Sequence, residues 1–214
     1  MGNLRWMSGF YEPNENDKYI AKCIFEKVEG VSRSICDFGF GNTLLAENLE
    51  RSNFKGQYIG IDYDNEAVNN AQFKGRGDNI RFVLGDMLEY DGSDFDCCIC
   101  SRVFHHFNKK DAILAINKMV RTISTQGMLI IVDSLRDYGN RKDRFLYLPY
   151  FFMDNIIEAY KKINGKSQEV DIKSTENSAS VNQYWLLACV INAEKISFSV
   201  DFLDAYEDGN FNSI

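Results

Sequence analysis

Five short apolar runs, separated for the most part by stretches with helical spacing, constrain what this chain can fold into more than any other feature. They are Ser34-Ile35-Cys36, Gln57-Tyr58-Ile59-Gly60-Ile61, Ile80-Arg81-Phe82-Val83-Leu84, Cys97-Cys98-Ile99-Cys100 and Met128-Leu129-Ile130-Ile131-Val132. Each has strand length, and near-continuous apolar character is what strands buried on both faces require. Between the runs, Leu44, Leu45 and Leu49 mark one helix, residues 67–73 a second, and Ala112, Ile113, Ile116, Met119, Val120 and Ile123 a longer third. Ahead of them, Ile20, Ile24, Phe25 and Val28 recur at helical spacing up to Gly30, behind a proline at position 13 that a helix start tolerates. The alternation predicts an α/β fold: a doubly wound, mainly parallel sheet of about seven strands with helices on both faces.

After Asp133 the rhythm changes. Residues 138–160 are rich in aromatics (Tyr138, Phe145, Tyr147, Tyr150, Phe151, Phe152, Tyr160) and read either as a roof over a pocket or as a core-facing amphipathic helix. The polar stretch 165–180 reads as a mobile connection, and 181–193 as another helix. Residues 196–202 alternate apolar and polar side chains as a half-exposed strand should, and 211–214 are candidates for a last strand. With 214 residues and 45% hydrophobic content the chain has enough material for one domain with a substantial core.

Three aspartates, Asp37, Asp62 and Asp86, stand at the ends of successive predicted strands. In an open parallel sheet, ligands bind beyond the carboxyl ends of the strands where the strand order reverses, so the three converge on one crevice. Gly39 and Gly41 follow the first of them and permit a tight turn that exposes main-chain groups to a ligand. Asp62 is suited to accept hydrogen bonds from both hydroxyls of a ribose; alternatively it caps the helix starting near Asp64.

This pattern resembles the class I S-adenosylmethionine-dependent methyltransferase family, whose first motif has the form Asp-x-Gly-x-Gly-x-Gly. Here the stretch reads Asp37-Phe38-Gly39-Phe40-Gly41-Asn42-Thr43, with Thr43 in place of the third glycine. The resemblance runs from about Ser32 to Asp133 and implies a Rossmann-like fold with S-adenosylmethionine as cofactor. It implies that Asp37, Gly39 and Gly41 form the cofactor turn and that Asp62 holds the ribose. Tyr63 would lie against the adenine, Asp86 would meet the adenine amino group, the Met87 amide would meet the ring, and Ser101 would end the strand beside the methionine part. On this basis the chain divides into a helical cap (1–31), a cofactor-binding core (32–135), a variable aromatic-rich insertion and linker (136–180) and a C-terminal helix and strand (181–214). A nicotinamide-binding domain shares the glycine turn, but its Gly-x-Gly-x-x-Gly needs a third glycine where Leu44 stands. A protein that binds the methyl donor without turnover, as a regulator or assembly partner, is a further alternative.

The two histidines of the chain, His105 and His106, lie just beyond the fourth run in Ser101-Arg102-Val103-Phe104-His105-His106-Phe107. Histidine titrates near neutral pH and can take a proton from an oxygen or nitrogen nucleophile, so both are candidate bases, with His106 preferred. The alternative is a histidine hydrogen-bonded at the start of the helix that opens at Asn108. Asp133 and Arg136 are candidates for substrate contact or for loop-closing pairs. Tyr11 is a candidate to close over the cofactor from the N-terminal side.

The target class narrows by composition. A net charge of −7 provides no basic field for phosphates, which disfavours nucleic acid and anionic membranes. Proline occurs only at 13 and 149, so the Asn-Pro-Pro-Tyr-like motif carried by families that methylate amino groups of DNA or glutamine is missing after the fourth run. A small-molecule acceptor is the resulting expectation. Six cysteines at 23, 36, 97, 98, 100 and 189 match neither a disulfide framework nor paired zinc knuckles, and read as reduced, buried thiols with no metal. The first residues lack the apolar stretch of a signal peptide and no run is long enough to span a bilayer, which predicts a soluble, cytoplasmic protein.

Overall fold

The structure is a computed structural model that describes residues 13–73, 77–134, 149–174, 184–192 and 194–203. Among these residues, eight strands form one sheet: β1 (Ser34–Phe38), β2 (Gln57–Asp62), β3 (Ile80–Leu84), β4 (Phe95–Ser101), β5 (Ile123–Ser134), β6 (Glu169–Ser174), β7 (Tyr184–Ile191) and β8 (Lys195–Leu203). Their spatial order is β3-β2-β1-β4-β5-β7-β8-β6. The first five are mutually parallel; β7 runs antiparallel to both β5 and β8, and β6 is parallel to β8. The order reverses between β1 and β4, which fixes the ligand crevice at the carboxyl ends of these two strands.

Among the described residues, five α-helices cover the two faces. On one side α1 (Glu15–Val28), α2 (Leu44–Arg51) and α3 (Asn65–Phe73) bury Ile20, Ile24, Val28, Leu45, Leu49 and Val68 against Ile35, Tyr58, Cys97 and Ile99. On the other, α4 (Lys109–Thr122) and α5 (Pro149–Asn164) bury Ala115, Ile116, Met119, Phe152 and Ile156 against Phe38, Cys98, Cys100 and Ile131. The cysteines of β4 therefore alternate between two cores, as the two-residue period of a strand demands. Their burial pushes the thiols of Cys97, Cys98 and Cys100 up, which keeps them protonated and unreactive. Asn14 caps α1 by accepting the Asp17 amide, while Asp17 accepts the Asn14 amide in return.

Two expectations need correction. Residues 184–191 form strand β7, not part of a helix spanning 181–193. β7 lies between β5 and β8 with nearly every residue buried, and a run apolar on all sides serves a central strand as well as a buried helix. The polar stretch 165–180 contains β6, an edge strand whose Glu-Val-Asp-Ile-Lys-Ser alternates with period two and leaves Val170 and Ile172 exposed. β8 matches the strand expected at 196–202, and the unexpected β6 and β7 bring the sheet to eight strands among the described residues rather than about seven. Residues 149–160 of the aromatic segment lie in α5, which faces the core; the rest of that segment and 211–214 lie outside the described residues.

Candidate active site

β1 feeds directly into a turn that requires glycine on two counts. Gly39 has φ 69°, in the left-handed region, and a Cβ there would lie 2.3 Å from Val103 Cγ2. Its amide donates to the Ile61 carbonyl at 2.7 Å, which pins the turn to the end of β2. Gly41 has φ 52° and faces open space, with only the Gly39 carbonyl oxygen, at 4.0 Å, near where a Cβ would sit. Thr43, where the resembled motif has its third glycine, is buried at the start of α2 and donates its hydroxyl to Glu47 Oε1 at 2.7 Å. The departure from glycine thus serves the helix start.

Asp62 closes β2 and is buried. Its Oδ2 accepts the Gly41 amide at 3.0 Å and its Oδ1 accepts the Asp64 amide at 3.0 Å. The carboxylate therefore joins the glycine turn to the entrance of α3. Each oxygen retains a second lone-pair direction for a ligand hydroxyl. Burial raises the Asp62 pKa, and the backbone donors at Asp64 and Gly41 act against that rise.

Asp37, one residue before the strand end, is buried and accepts the Tyr58 hydroxyl on Oδ2 at 2.7 Å. Its Oδ1 is buried and has no hydrogen-bond partner among the described residues. Burial pushes the Asp37 pKa up to about 7, with the Tyr58 hydrogen bond opposing and the negative charge of Asp62 reinforcing the shift. Asp86 follows β3, is exposed, and accepts the Leu88 amide at 2.8 Å, so its carboxylate is held by its own turn rather than by the glycine loop. The neighbouring Gly85 amide donates to the Asp62 carbonyl at 2.9 Å. Met87 is buried in the core, Tyr63 stands 62% exposed beside Asp62, and Ser101 ends β4 partly buried. All eight residues implied as cofactor contacts thus fall at the carboxyl edge of β1 to β4.

The histidines occupy a single 3-10 turn, Phe104–His106, beyond β4. Phe104 is fully buried and packs edge-on against Phe107 and against Phe152 of α5, which anchors the turn. Asp133, completely buried near the end of β5, accepts the His105 amide at 3.0 Å and the Ser134 amide at 2.8 Å, and its Oδ1 lies 3.0 Å from His105 Nδ1. The His105 and His106 ring centroids are 3.8 Å apart. The turn also touches the glycine loop, because Val103, against which Gly39 packs, accepts the His106 amide at 3.0 Å.

Arg102 escaped sequence reasoning. It adopts φ 60°, donates its amide to the Val132 carbonyl at 2.8 Å, and pairs its guanidinium with the buried Asp17 carboxylate of α1. The pair ties the N-terminal helix to the loop after β4; sequence separation hides it. Tyr11 and Arg136 lie outside the described residues. Among the described residues no cluster of three histidine, cysteine or acidic side chains stands ready for a metal, and no helix is long and apolar enough to cross a membrane.

Two side-chain-free positions at the turn, a carboxylate with lone pairs to spare, and a buried acceptor without a partner suit a nucleoside ligand that carries hydroxyls and a positive charge. An open α/β sheet with such a crevice defines a nucleoside-binding class of proteins. A methyltransferase-domain profile matches residues 35–127, the stretch that builds this crevice. Over that stretch the chain matches the methyltransferase-domain family, the class that the resemblance of its first motif implies. No curated protein is close enough in sequence to count as a match. Among solved structures, it is similar to magnesium protoporphyrin IX methyltransferase (ChlM) from Synechocystis PCC 6803 with bound SAH, at 15% identity and TM-score 0.59 over 86% of this chain and 90% of that one. It is similar to the N-methyltransferase NodS from Bradyrhizobium japonicum WM9 in complex with S-adenosyl-L-homocysteine, at 18% identity and TM-score 0.56 over 69% and 76%. The [4+2]-cyclase SpnF aligns at 17% identity and TM-score 0.54 over 71% and 62%. Against other similar structures the chain spans about half of their length. At these identities the likeness is one of fold.

Proposed function

We propose that this chain transfers a methyl group from S-adenosylmethionine to a small-molecule acceptor and releases S-adenosylhomocysteine. The observation that carries the reading is the hydrogen bond from the Gly41 amide to Asp62, which sets an acceptor suited to a ribose against a turn with two side-chain-free positions at the switch point of the sheet. The cofactor supplies a methyl group already activated by its sulfonium. What remains for the protein is to bind, orient and exclude water. In this reading Asp62 receives the ribose hydroxyls and Tyr63 covers the adenine. Asp86 and the Met87 amide face the adenine edge, and Asp37 and Ser101 lie toward the methionine part. The net charge of −7 supports a small acceptor over nucleic acid or an anionic membrane, and a cytoplasmic setting suits the buried thiols.

Calorimetric titration of the purified protein with S-adenosylmethionine and with S-adenosylhomocysteine tests the reading. Asp62→Ala is expected to weaken both by roughly 10- to 100-fold, the scale of one or two lost hydrogen bonds to a charged group, and His106→Ala by no more than about twofold. Absence of binding in the parent protein would refute the function, and equal, negligible effects of the two substitutions would mean that the pocket lies elsewhere. Release of S-adenosylhomocysteine across a metabolite panel separates a transferase from a protein that only binds the cofactor.

A further inference from the structure

We infer that two copies of this chain join along β6, antiparallel and two-fold about Ile172, so that their sheets become one. β6 is the last strand of the sheet, and among the described residues nothing pairs with its outer edge. Proteins commonly shield such an edge with a proline, a bulge or charges. β6 has no proline, and its register with β8 runs without a break from Glu169 beside Lys195 to Ser174 beside Val200. Of its charges, Glu169 and Asp171 are met by Lys195 of β8 at 3.7 and 3.2 Å. The strand also carries apolar surface: Val170 is 39% and Ile172 51% exposed. Both lie on the α5 side of the sheet, because their register partners Ile196 and Phe198 are buried in the core that α5 covers. Ile163, in the last turn of α5, is exposed as well.

The hydrogen-bond pattern limits the registers available. Alternate residues of a strand direct both backbone groups to the same neighbour. Glu169 donates its amide to the Glu194 carbonyl at 3.2 Å, so Glu169, Asp171 and Lys173 face β8. The amides and carbonyls of residues 170, 172 and 174 therefore face outward. An antiparallel copy satisfies them only where outward residues oppose outward residues, and the registers that keep most of β6 paired are centred on 171, 172 or 173. Centring on 171 sets Asp171 against its own copy, and centring on 173 does the same to Lys173; both oppose like charges. Centring on Ile172 sets Asp171 of each copy opposite Lys173 of the other. It also pairs 170 with 174 and 172 with 172, so every outward-facing residue of both strands is used.

Charge and apolar surface agree with that register. Asp171 and Lys173 fall at non-hydrogen-bonded positions, where opposing Cα atoms approach to about 4.5 Å and side chains come closest. Lys173 has no carboxylate partner among the described residues and gains one from the second copy. On the other face Ile172 meets Ile172, with Val170 of each copy on the diagonal, so exposed apolar side chains of both copies become contiguous. A second copy is thus the occupant whose own β6 supplies both the complementary charges and the outward backbone groups. β6 runs parallel to β1 through β5, so an antiparallel joint points the two carboxyl edges in opposite directions and leaves neither crevice at the joint.

Sedimentation equilibrium of the full chain, from micromolar to sub-millimolar concentration, is expected to show reversible conversion of the 24.6 kDa monomer to a species of twice that mass. Ile172→Pro removes an amide that β8 does not use, so the circular dichroism spectrum should be unchanged while self-association weakens by about tenfold or more. Asp171→Lys and Lys173→Asp are each expected to weaken it by about tenfold or more, and an equimolar mixture of the two to restore it, because only the mixed pair opposes acid to base at both positions. Oxidation of Ile172→Cys should give a covalent dimer and that of Val170→Cys should not, since the two-fold sets residue 172 beside its own copy and residue 170 about 13 Å from its own. A monomer at every concentration overturns the inference. A dimer that Ile172→Pro and both single charge variants leave intact overturns it by placing the interface elsewhere, and equal cross-linking through 170 and 172 overturns the register. Should Ile172→Pro misfold, the exposed charge variants and their mixture decide. None of these outcomes bears on the proposed methyl transfer.

Discussion

Gly39→Ala probes whether the glycine turn and the loop after β4 are one packed unit. Two costs arise in the folded state. An alanine held at φ 69° pays about 1–2 kcal/mol for the left-handed backbone. Its methyl, 2.3 Å from Val103 Cγ2, forces displacement of a β-branched side chain that has little rotamer freedom, at about 1–3 kcal/mol. Against these, alanine narrows the unfolded ensemble by somewhat under 1 kcal/mol. The net expectation is a loss of about 2–4 kcal/mol, read from urea denaturation followed by circular dichroism. Val103→Ala in the same chain removes the obstruction but not the backbone term. The double variant should therefore sit only about 1 kcal/mol below Val103→Ala alone, giving a favourable coupling of about 1–3 kcal/mol in a double-mutant cycle. If the cycle closes with no coupling, Gly39 and Val103 are not in contact, and the link from the glycine turn to the histidine turn fails with it.

Asp37→Asn tests the buried carboxyl. Its folded pKa is raised to about 7, above the ordinary value of 3.8, so between roughly pH 4 and 7 the folded state holds a proton that the unfolded state has lost. The stabilisation is complete below that window and is lost as pH rises through it, by up to about 1.4 kcal/mol per pH unit. The difference between parent and Asp37→Asn urea stabilities should show this slope from pH 5 to 7; parallel curves would refute it. Arg102→Ala leaves the Asp17 carboxylate buried without its cation and should cost about 3–5 kcal/mol, whereas Asp17→Asn combined with Arg102→Ala should cost less than half as much, both read from thermal or urea unfolding. Equal losses in the single and double variants would show that the pair is not coupled.

The half of the chain that makes the crevice was legible because its signals are local. A strand that carries Asp37 next to its end and turns at Gly39 and Gly41, or one that ends in Asp62, shows in a few consecutive residues, and the apolar runs of β1 to β5 distinguish themselves from the helices between them by period. Legibility fell where a residue's role depends on a distant neighbour. Nothing local marks Asp133 as the partner of His105 across 28 positions, or Arg102 as the partner of Asp17 across the cap. Sequence favoured His106 for its nearness to the helix entrance, yet the ring that a buried carboxylate holds is that of His105. β7 illustrates a different limit. Its apolar run lacks a polar face because the strand is covered by sheet neighbours on its edges and by helices on its faces, and such a run carries no period to read. β6 did carry one, but its charged and serine-containing composition masked a strand six residues long.

The distribution of backbone strain gives the crevice a rationale beyond its ligand-binding groups. Gly39 and Arg102 both adopt left-handed backbone, one directly after β1 and the other directly after β4, on either side of the point where the strand order reverses. Glycine carries this conformation at no steric cost, but Arg102 does not, and an arginine persists there only if the surroundings over-determine it. They do: the amide is held by Val132 and the guanidinium by Asp17. The same left-handed residue directs Val103 toward Gly39 and starts the turn that delivers His105 to Asp133. Replacing Arg102 by glycine would relieve the backbone but release α1, while lysine would keep the charge and lose the planar fork. The arginine is therefore the position at which the N-terminal helix, the glycine turn and the histidine turn are adjusted to one another.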